Sequence, residues 1–349
     1  KFIFSSEIKA ILEHGIKREI NLESLNHYFR LLYVPAPFTM FKNIYKLSQG
    51  HHLVLQDNKL DIKQYWTIND FRGLTAKDEI IEKIKELLRN SVRGQLISDR
   101  PIGIFLSGGI DSTSVLGITR EFIPGKIKTF TVGFKIDDST NKFNQDFLLA
   151  RETAKFYGTD HHELLIGSKD FLDNVEKVIY HLDEPVAEAT QIATFLLSKY
   201  AKKNVAVVLG GDGGDELFGG YSRYYYSQLI NKYQLLPAFL RHKIFPLILG
   251  KIFRKKKLDR KLNLVKGVDR YAQFMFQRED DVGRVLKDSI NQRLITKKFF
   301  QEKYFRNYFR TDFENYFMWV DLKTWLADES LMRTDKMTMA YGLEQRVPV

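Results

Sequence analysis

The 349 residues contain no cysteine. Disulfides, thiolate metal sites and a cysteine nucleophile are therefore excluded within this span, and a reducing cytoplasm is the expected setting. Long apolar runs are missing too. They are short, such as VAVVL at 205–209, whereas a spanning helix needs about 20 apolar residues; no membrane segment is expected. The opening KFIFSSEIKAIL lacks the apolar core and cleavage site of a signal peptide, and no initiator Met precedes it, so the chain is expected to begin inside a longer protein. Internal repeats and low-complexity segments are absent.

What is present is a globular composition. With 44% hydrophobic residues the chain can bury a sizeable core, and its length favours two domains over one. The net charge of +11 is drawn partly from KIFRKKKLDRK at 251–261, which would attract polyanions. A solvated face is the preferred reading of that run, because no nucleic-acid motif accompanies it; a nucleic-acid contact is the minor alternative.

Along the chain, the region up to Trp66 holds strand-like pieces (KFIFSS, HHLVLQ, KQYW) and the extended YVPAPF, where Pro35 and Pro37 block helix. It reads as the tail of a β-rich module. Thr75 and Asp78 form a capping-box pattern, and Ile80, Ile81, Ile84, Leu87, Leu88 and Val92 then share one helical face. Beyond this helix, apolar runs (IGIFL, IKTFTVGF, HHELLIG, VAVVL) alternate with helical patterns. That rhythm predicts an α/β fold, a parallel sheet with helices on its faces, whose ligands bind beyond the carboxyl ends of the strands. Residues 221–345 show aromatics and helical patterns without a clear strand, and predict a helical region.

Two glycine loops follow predicted strands. In IGIFLSGGIDSTSVLG, residues 102–117, a buried strand ends in Ser107, Gly108 and Gly109, and a helix begins near Asp111 and Ser112. Glycines admit close approach, a helix amino terminus carries partial positive charge, and two hydroxyls can donate; together they make an anion cradle. An Asp beside phosphate calls for a bridging metal. The bland alternative, a turn that merely needs glycine, would win for a lone Gly-Gly pair. No Lys-Ser or Lys-Thr follows at Walker A spacing, and no Gly-x-Gly-x-x-Gly occurs. The second loop, VVLGGDGGDELFGGY at 207–221, crowds Gly210, Gly211, Asp212 and Asp215 after VAVVL; its carboxylates suit Mg²⁺, which prefers oxygen ligands and substrate phosphates. A flexible acidic turn is its bland alternative. A third element, DESLMRTDKMTMAYGLEQRVPV at 328–349, sets Arg333 and Lys336 on one helical face. The pairs His51/His52 and His161/His162 lack zinc-helix spacing. Asp183 and Glu184, before Pro185, lie either near an acceptor or on an ordinary acidic turn.

The Ser-Gly-Gly-x-Asp-Ser run resembles the pyrophosphate loop of ATP pyrophosphatases. The three elements in this order, with HLDEPVAEATQIATFLLSKYAKK at 181–203 and SSEIKAIL at 5–12, resemble the glutamine-hydrolysing asparagine synthetases over nearly the whole chain. The resemblance implies a remnant of a glutamine amidotransferase domain over 1–66 and an incomplete synthetase domain over 67–349, which in the family continues past RVPV. It implies that Ser107, Gly108, Gly109, Asp111 and Ser112 wrap the pyrophosphate of ATP, that Asp111 and Asp215 hold Mg²⁺, and that Leu106, Val132, Gly210 and Gly211 surround adenosine. Asp212 would accept a proton from ammonia, and Lys336 would neutralise the leaving pyrophosphate. The implied reaction is amidation of aspartate through an acyl-adenylate, releasing AMP and pyrophosphate, with ammonia from glutamine in the complete protein. Amidation of another carboxylate, a sugar uronic acid or a peptide, stays open, as does a non-catalytic nucleotide- or nucleic-acid-binding module. A homodimer is also left open.

Overall fold

The computed structural model describes residues 2–68, 76–135, 144–237, 239–240, 267–306, 308 and 313–349. The basic run 251–261 and Thr75 lie outside the described residues. The chain forms two compact units, one from Lys1–Ile16, Gly50–Gly214 and Ala327–Val349, the other from Lys17–Gln49 and Asp215–Leu326. Among the described residues no helix is long and apolar enough to cross a membrane.

The first unit carries an antiparallel hairpin, β1 (His51–Gln56) and β2 (Lys59–Gln64). It also carries a parallel sheet of β3 (Ile102–Phe105), β4 (Lys128–Phe134), β5 (Asp160–Ile166), β6 (Val207–Leu209) and β7 (Glu344–Arg346), in the order β5-β4-β3-β6-β7. Parallel strands buried on both faces read as apolar runs, which made β3, β4 and β6 legible, whereas the half-buried edge strand β5 was legible only from its apolar end Leu164–Ile166. Successive residues face opposite sides. Ile104, Leu106 and Leu209 pack with Val115, Leu116, Ala150 and Ala154 of the helices Ile110–Phe122 and Gln145–Tyr157. Phe130 and Val208 pack with Leu197, Ala201 and Leu343, on the side of the helix Thr190–Ala201. Helices therefore cover both faces, as expected for this fold class.

β7 departs from expectation. It falls at the end of a stretch predicted to hold no strand, and its residues Glu344, Gln345 and Arg346 are polar. Its pairing with Val207, Val208 and Leu209 comes from a segment more than a hundred residues away, and a short polar edge strand has no alternation to betray it. The order also creates a topological switch: from β3 the chain proceeds outward through β4 and β5, whereas β6 and β7 lie on the other side. The crevice between β3 and β6 is where ligands enter such sheets, and both glycine loops leave those two strands.

The helix Lys77–Gln95 forms as predicted, but it starts after Ala76, which makes no side-chain cap. Of its apolar face only Val92 is buried; Ile80, Ile81 and Leu87 are 36%, 39% and 56% exposed. Residues 2–5 form no strand, and the stretch before Trp66 includes a helix the sequence reading did not anticipate, Leu22–Leu31. Asn21 caps it by accepting from the Glu23 and Ser24 amides. That helix belongs to the second unit. There its buried Arg30 donates to both oxygens of Glu279, at 2.8 and 2.9 Å, and to Asn291 at 2.7 Å. Among the described residues the unit's other named elements are helices, around an aromatic core that includes Tyr224, Tyr271, Phe300, Phe313 and Phe317.

Candidate active site at the carboxyl ends of β3 and β6

β3 delivers Leu106, buried, whose amide donates to the Phe130 carbonyl at 2.9 Å. The chain then turns through Ser107, Gly108 and Gly109 into the helix Ile110–Phe122, with Gly109 as N-cap and no side-chain cap. A helix start without a side-chain cap offers its first amides to an anion. The two serines brace the turn. Ser107 N–H donates to Ser112 Oγ at 3.2 Å, their hydroxyls lie 3.0 Å apart, and the Gly109 amide donates to Ser107 Oγ at 3.3 Å. Asp111 stands in the first turn, where a carboxylate is favoured by the helix dipole.

The second loop closes on the first. A Cβ built on Gly211 would lie 2.6 Å from the Ser112 nitrogen and 3.0 Å from Asp111 main chain, and one built on Gly214 would collide with the Asp111 carboxyl. Only glycine lets the two loops come this near. The structure therefore brings Ser107, Gly108, Gly109, Asp111 and Ser112 together with Gly210, Gly211 and Asp212, from segments about 100 residues apart in sequence. Val132 lies half-buried on β4. Asp215, the other expected magnesium ligand, is the first residue of the second unit and follows Gly214 in the short helix Gly214–Phe218.

Asp212 is the electrostatic centre of the second loop. Burial pushes its carboxyl above the usual carboxylate range, against the opposing pull of Arg333 and of a hydrogen bond from Gln345. Gln345 Nε2 donates to Asp212 Oδ2 at 2.7 Å. The side-chain amide passes directly over Gly210, where a Cβ would strike it, while the Gly210 amide donates to the Arg346 carbonyl at 2.9 Å. β7 thus reaches the site through Gln345. Sequence reasoning missed this residue because its strand was missed.

The third element is placed as a helix, Met332–Met339, continuing from a π-helical turn, Leu326–Leu331. Arg333 Nε donates to the buried Glu329 at 2.7 Å, and Arg333 also reaches Thr190 Oγ1 at 3.2 Å. Burial raises the Glu329 carboxyl, Arg333 opposes this, and Glu188 and Asp212 add to the rise. Lys336 does not contact the first loop. Its ammonium sits on Asp183 at 2.5 Å, the residue that the sequence left undecided between an acceptor site and an acidic turn.

The histidine pairs serve elsewhere. His161 Nδ1 lies 2.8 Å from Thr129 Oγ1, and the His162 ring stacks on Phe130 at 5.0 Å. Among the described residues no group of three or more His, Asp or Glu side chains is arranged to hold a metal. Magnesium needs fewer, because one or two carboxylates and the substrate phosphates complete its shell. Asp111, at the joint of two glycine loops, has the donor chemistry that such a shell requires.

Against known proteins, residues 83–349 match the profile described as asparagine synthase. The chain belongs to the asparagine synthase family. Residues 1–66 match the glutamine amidotransferase domain profile. Among relatives, the putative glutamine-hydrolyzing asparagine synthetase 2 of Methanocaldococcus jannaschii is 33% identical over 87% of this chain and 58% of its own length. The glutamine-hydrolyzing asparagine synthetase 1 of Bacillus subtilis is 31% identical over 99% of this chain and 54% of its own. A more distant relative, amidase chry2 of Gibberella zeae, is 28% identical over 69% of this chain and 38% of its own length. The chain thus spans about half the length of the synthetases it matches. The family match takes in both glycine loops and the helix of Lys336.

Proposed function

We propose that this chain is part of an ATP-dependent ligase that converts aspartate to asparagine, with glutamine supplying ammonia in the complete protein. The observation that carries the reading is the junction of the two loops at the β3/β6 switch, where Gly211 and Gly214 seat against Ser112 and Asp111. In this reading Ser107, Gly108, Gly109, Asp111 and Ser112 grip the β- and γ-phosphates, while Leu106, Val132, Gly210 and Gly211 flank adenosine. Asp111 and Asp215 are the residues that would hold Mg²⁺, which supplies charge neutralisation to the phosphates when bound.

The chemistry is a double displacement. A carboxylate oxygen of aspartate forms a bond to the α-phosphorus of ATP as the bond to pyrophosphate breaks. Ammonia then adds to the acyl carbon, AMP departs with the carboxylate oxygen, and the surplus proton must go to a base. Asp212 is suited to that role, because its raised pKa makes it a better proton acceptor than an exposed carboxylate. Lys336 would stabilise the departing pyrophosphate. Residues 1–66 are assigned to the amidotransferase portion and 67–349 to the synthetase portion. The proposed setting is cytoplasmic, with a homodimer as the assembly to test by sedimentation.

The deciding experiment incubates the full-length protein with ATP, magnesium and glutamine or ammonia, adding single candidate acids, and measures pyrophosphate and amide. Aspartate-dependent pyrophosphate with asparagine is the expected result. Its absence refutes the reading, and amidation of a uronic acid or peptide carboxylate would replace it.

A further inference from the structure

Asp183 joins three segments, and the chemistry above gives it no part. It is the C-cap of the helix Val175–Leu182 and holds φ 65°, ψ −31°, a positive-φ conformation that costs energy for a residue with a Cβ. Its side chain is only 2% exposed. One carboxylate oxygen accepts from Lys336 Nζ at 2.5 Å and from the Ile8 amide at 3.0 Å. The other accepts from the Lys9 amide at 3.2 Å and lies 2.9 Å from Lys9 Nζ. Lys9 in turn pairs with Glu7 at 3.0 Å. Burial would raise this carboxyl, but the hydrogen bonds from Lys336 and Lys9 outweigh it and hold it below the usual range. The carboxylate thus accepts from one ammonium and two main-chain amides, and a second ammonium, that of Lys9, lies within ion-pair distance.

We propose that Asp183 is the positioning residue for Lys336, holding its ammonium ready for the leaving pyrophosphate and tying that placement to the segment Glu7–Leu12. The inference rests on the role given to Lys336 above. Its physical basis is the second lysine. A buried carboxylate stripped of its only partner is strongly destabilised, so a simple pair would resist giving up Lys336. Here Lys9 and the two amides remain on Asp183 when Lys336 swings away, and the repulsion between two ammonium groups on one anion favours that release. The arrangement fixes the waiting position of Lys336 without making its departure costly.

The test measures pyrophosphate release by the full-length protein with ammonia, for Asp183→Asn, Lys9→Met, Lys336→Met and the double variant Asp183→Asn/Lys336→Met. Mispositioning a group that meets the reacting phosphates costs about tenfold or more in rate, so Asp183→Asn should fall by that factor. Lys9→Met leaves Lys336 as the sole ammonium on Asp183, so Lys336 should leave less readily and the rate should fall several-fold. The double variant should be no slower than Lys336→Met alone. If the Asp183→Asn loss recurs in full on the Lys336→Met background, or if Lys9→Met turns over at the wild-type rate, the proposal is overturned. A second readout does not depend on the reaction: acetic anhydride labelling, followed by peptide mass spectrometry, should modify Lys336 several-fold faster in Asp183→Asn. Equal labelling would overturn the clamp. A wild-type protein that releases no pyrophosphate with any acceptor would refute the function proposed above and leave the clamp to be judged on labelling.

Discussion

Replacing Gly211 by alanine tests whether the two glycine loops form one site. The added Cβ would stand 2.6 Å from the Ser112 nitrogen and 3.0 Å from the Asp111 carbonyl carbon and Cβ. Those atoms belong to the first turn of a 13-residue helix packed on the sheet, so no flexible side-chain end can yield. Ordinary contact begins near 3.4 Å, and the loops must therefore part by most of an ångström. Overpacking of this kind costs about 1–3 kcal/mol, and if the loops bind nucleotide jointly, ATP affinity should fall roughly tenfold or more. Gly94→Ala is the opposite case. Gly94 lies in the helix Lys77–Gln95 with nothing within 4 Å of an added Cβ, and alanine should stabilise that helix by about 0.5–1 kcal/mol. Calorimetric titration with a non-hydrolysable ATP analogue and thermal melting of both variants give the comparison. A Gly211→Ala protein that melts and binds like wild type would refute the junction; one that melts lower yet binds ATP normally would refute a shared nucleotide site.

Three further outcomes follow from buried charge. His27, fully buried and 3.0 Å from Thr296 Oγ1, has its pKa pushed down to about 4, first by burial and then by Arg30. The unfolded chain takes up this proton near pH 6.5 and the folded chain does not, so stability should fall by about 3 kcal/mol between those values as pH drops. A His27→Gln variant should lose that part of the slope in denaturant titrations at pH 7 and pH 4.5; identical slopes would contradict it. Asp321, fully buried, accepts from Arg223, Tyr224 and Tyr271. Arg223→Met should cost about 3–5 kcal/mol in urea denaturation because it strands that carboxyl, and a loss under 1 kcal/mol would argue against an ionised Asp321. Gln345→Leu removes a donor that holds the Asp212 carboxyl down against burial. The acid limb of the pH–rate curve for ammonia-dependent amidation should then move to higher pH, since a protonated Asp212 accepts nothing, and an unmoved limb would exclude Asp212 as the base.

The sequence carried its own account of the parts whose cause is local. Three of the parallel strands were readable because burial on both faces demands apolar runs, and the turn at Ser107–Gly109 was readable because glycines between an apolar run and a helical pattern mark a strand-to-helix turn. The order of the three motifs was enough to place the chain in its family. Tertiary structure decided what depends on distant segments meeting. It decided that β7, too short and polar to show a pattern, completes the sheet and brings Gln345 to Asp212. It decided that Leu22–Leu31 joins the helical unit through Arg30, and that Asp183, one carboxylate in an ordinary-looking turn, binds Lys9 and Lys336 together. The reason is the same in each case. Hydropathy and propensity act within a few residues of the chain, whereas a hydrogen bond between groups 133 or 153 positions apart is fixed only when the core between them has closed.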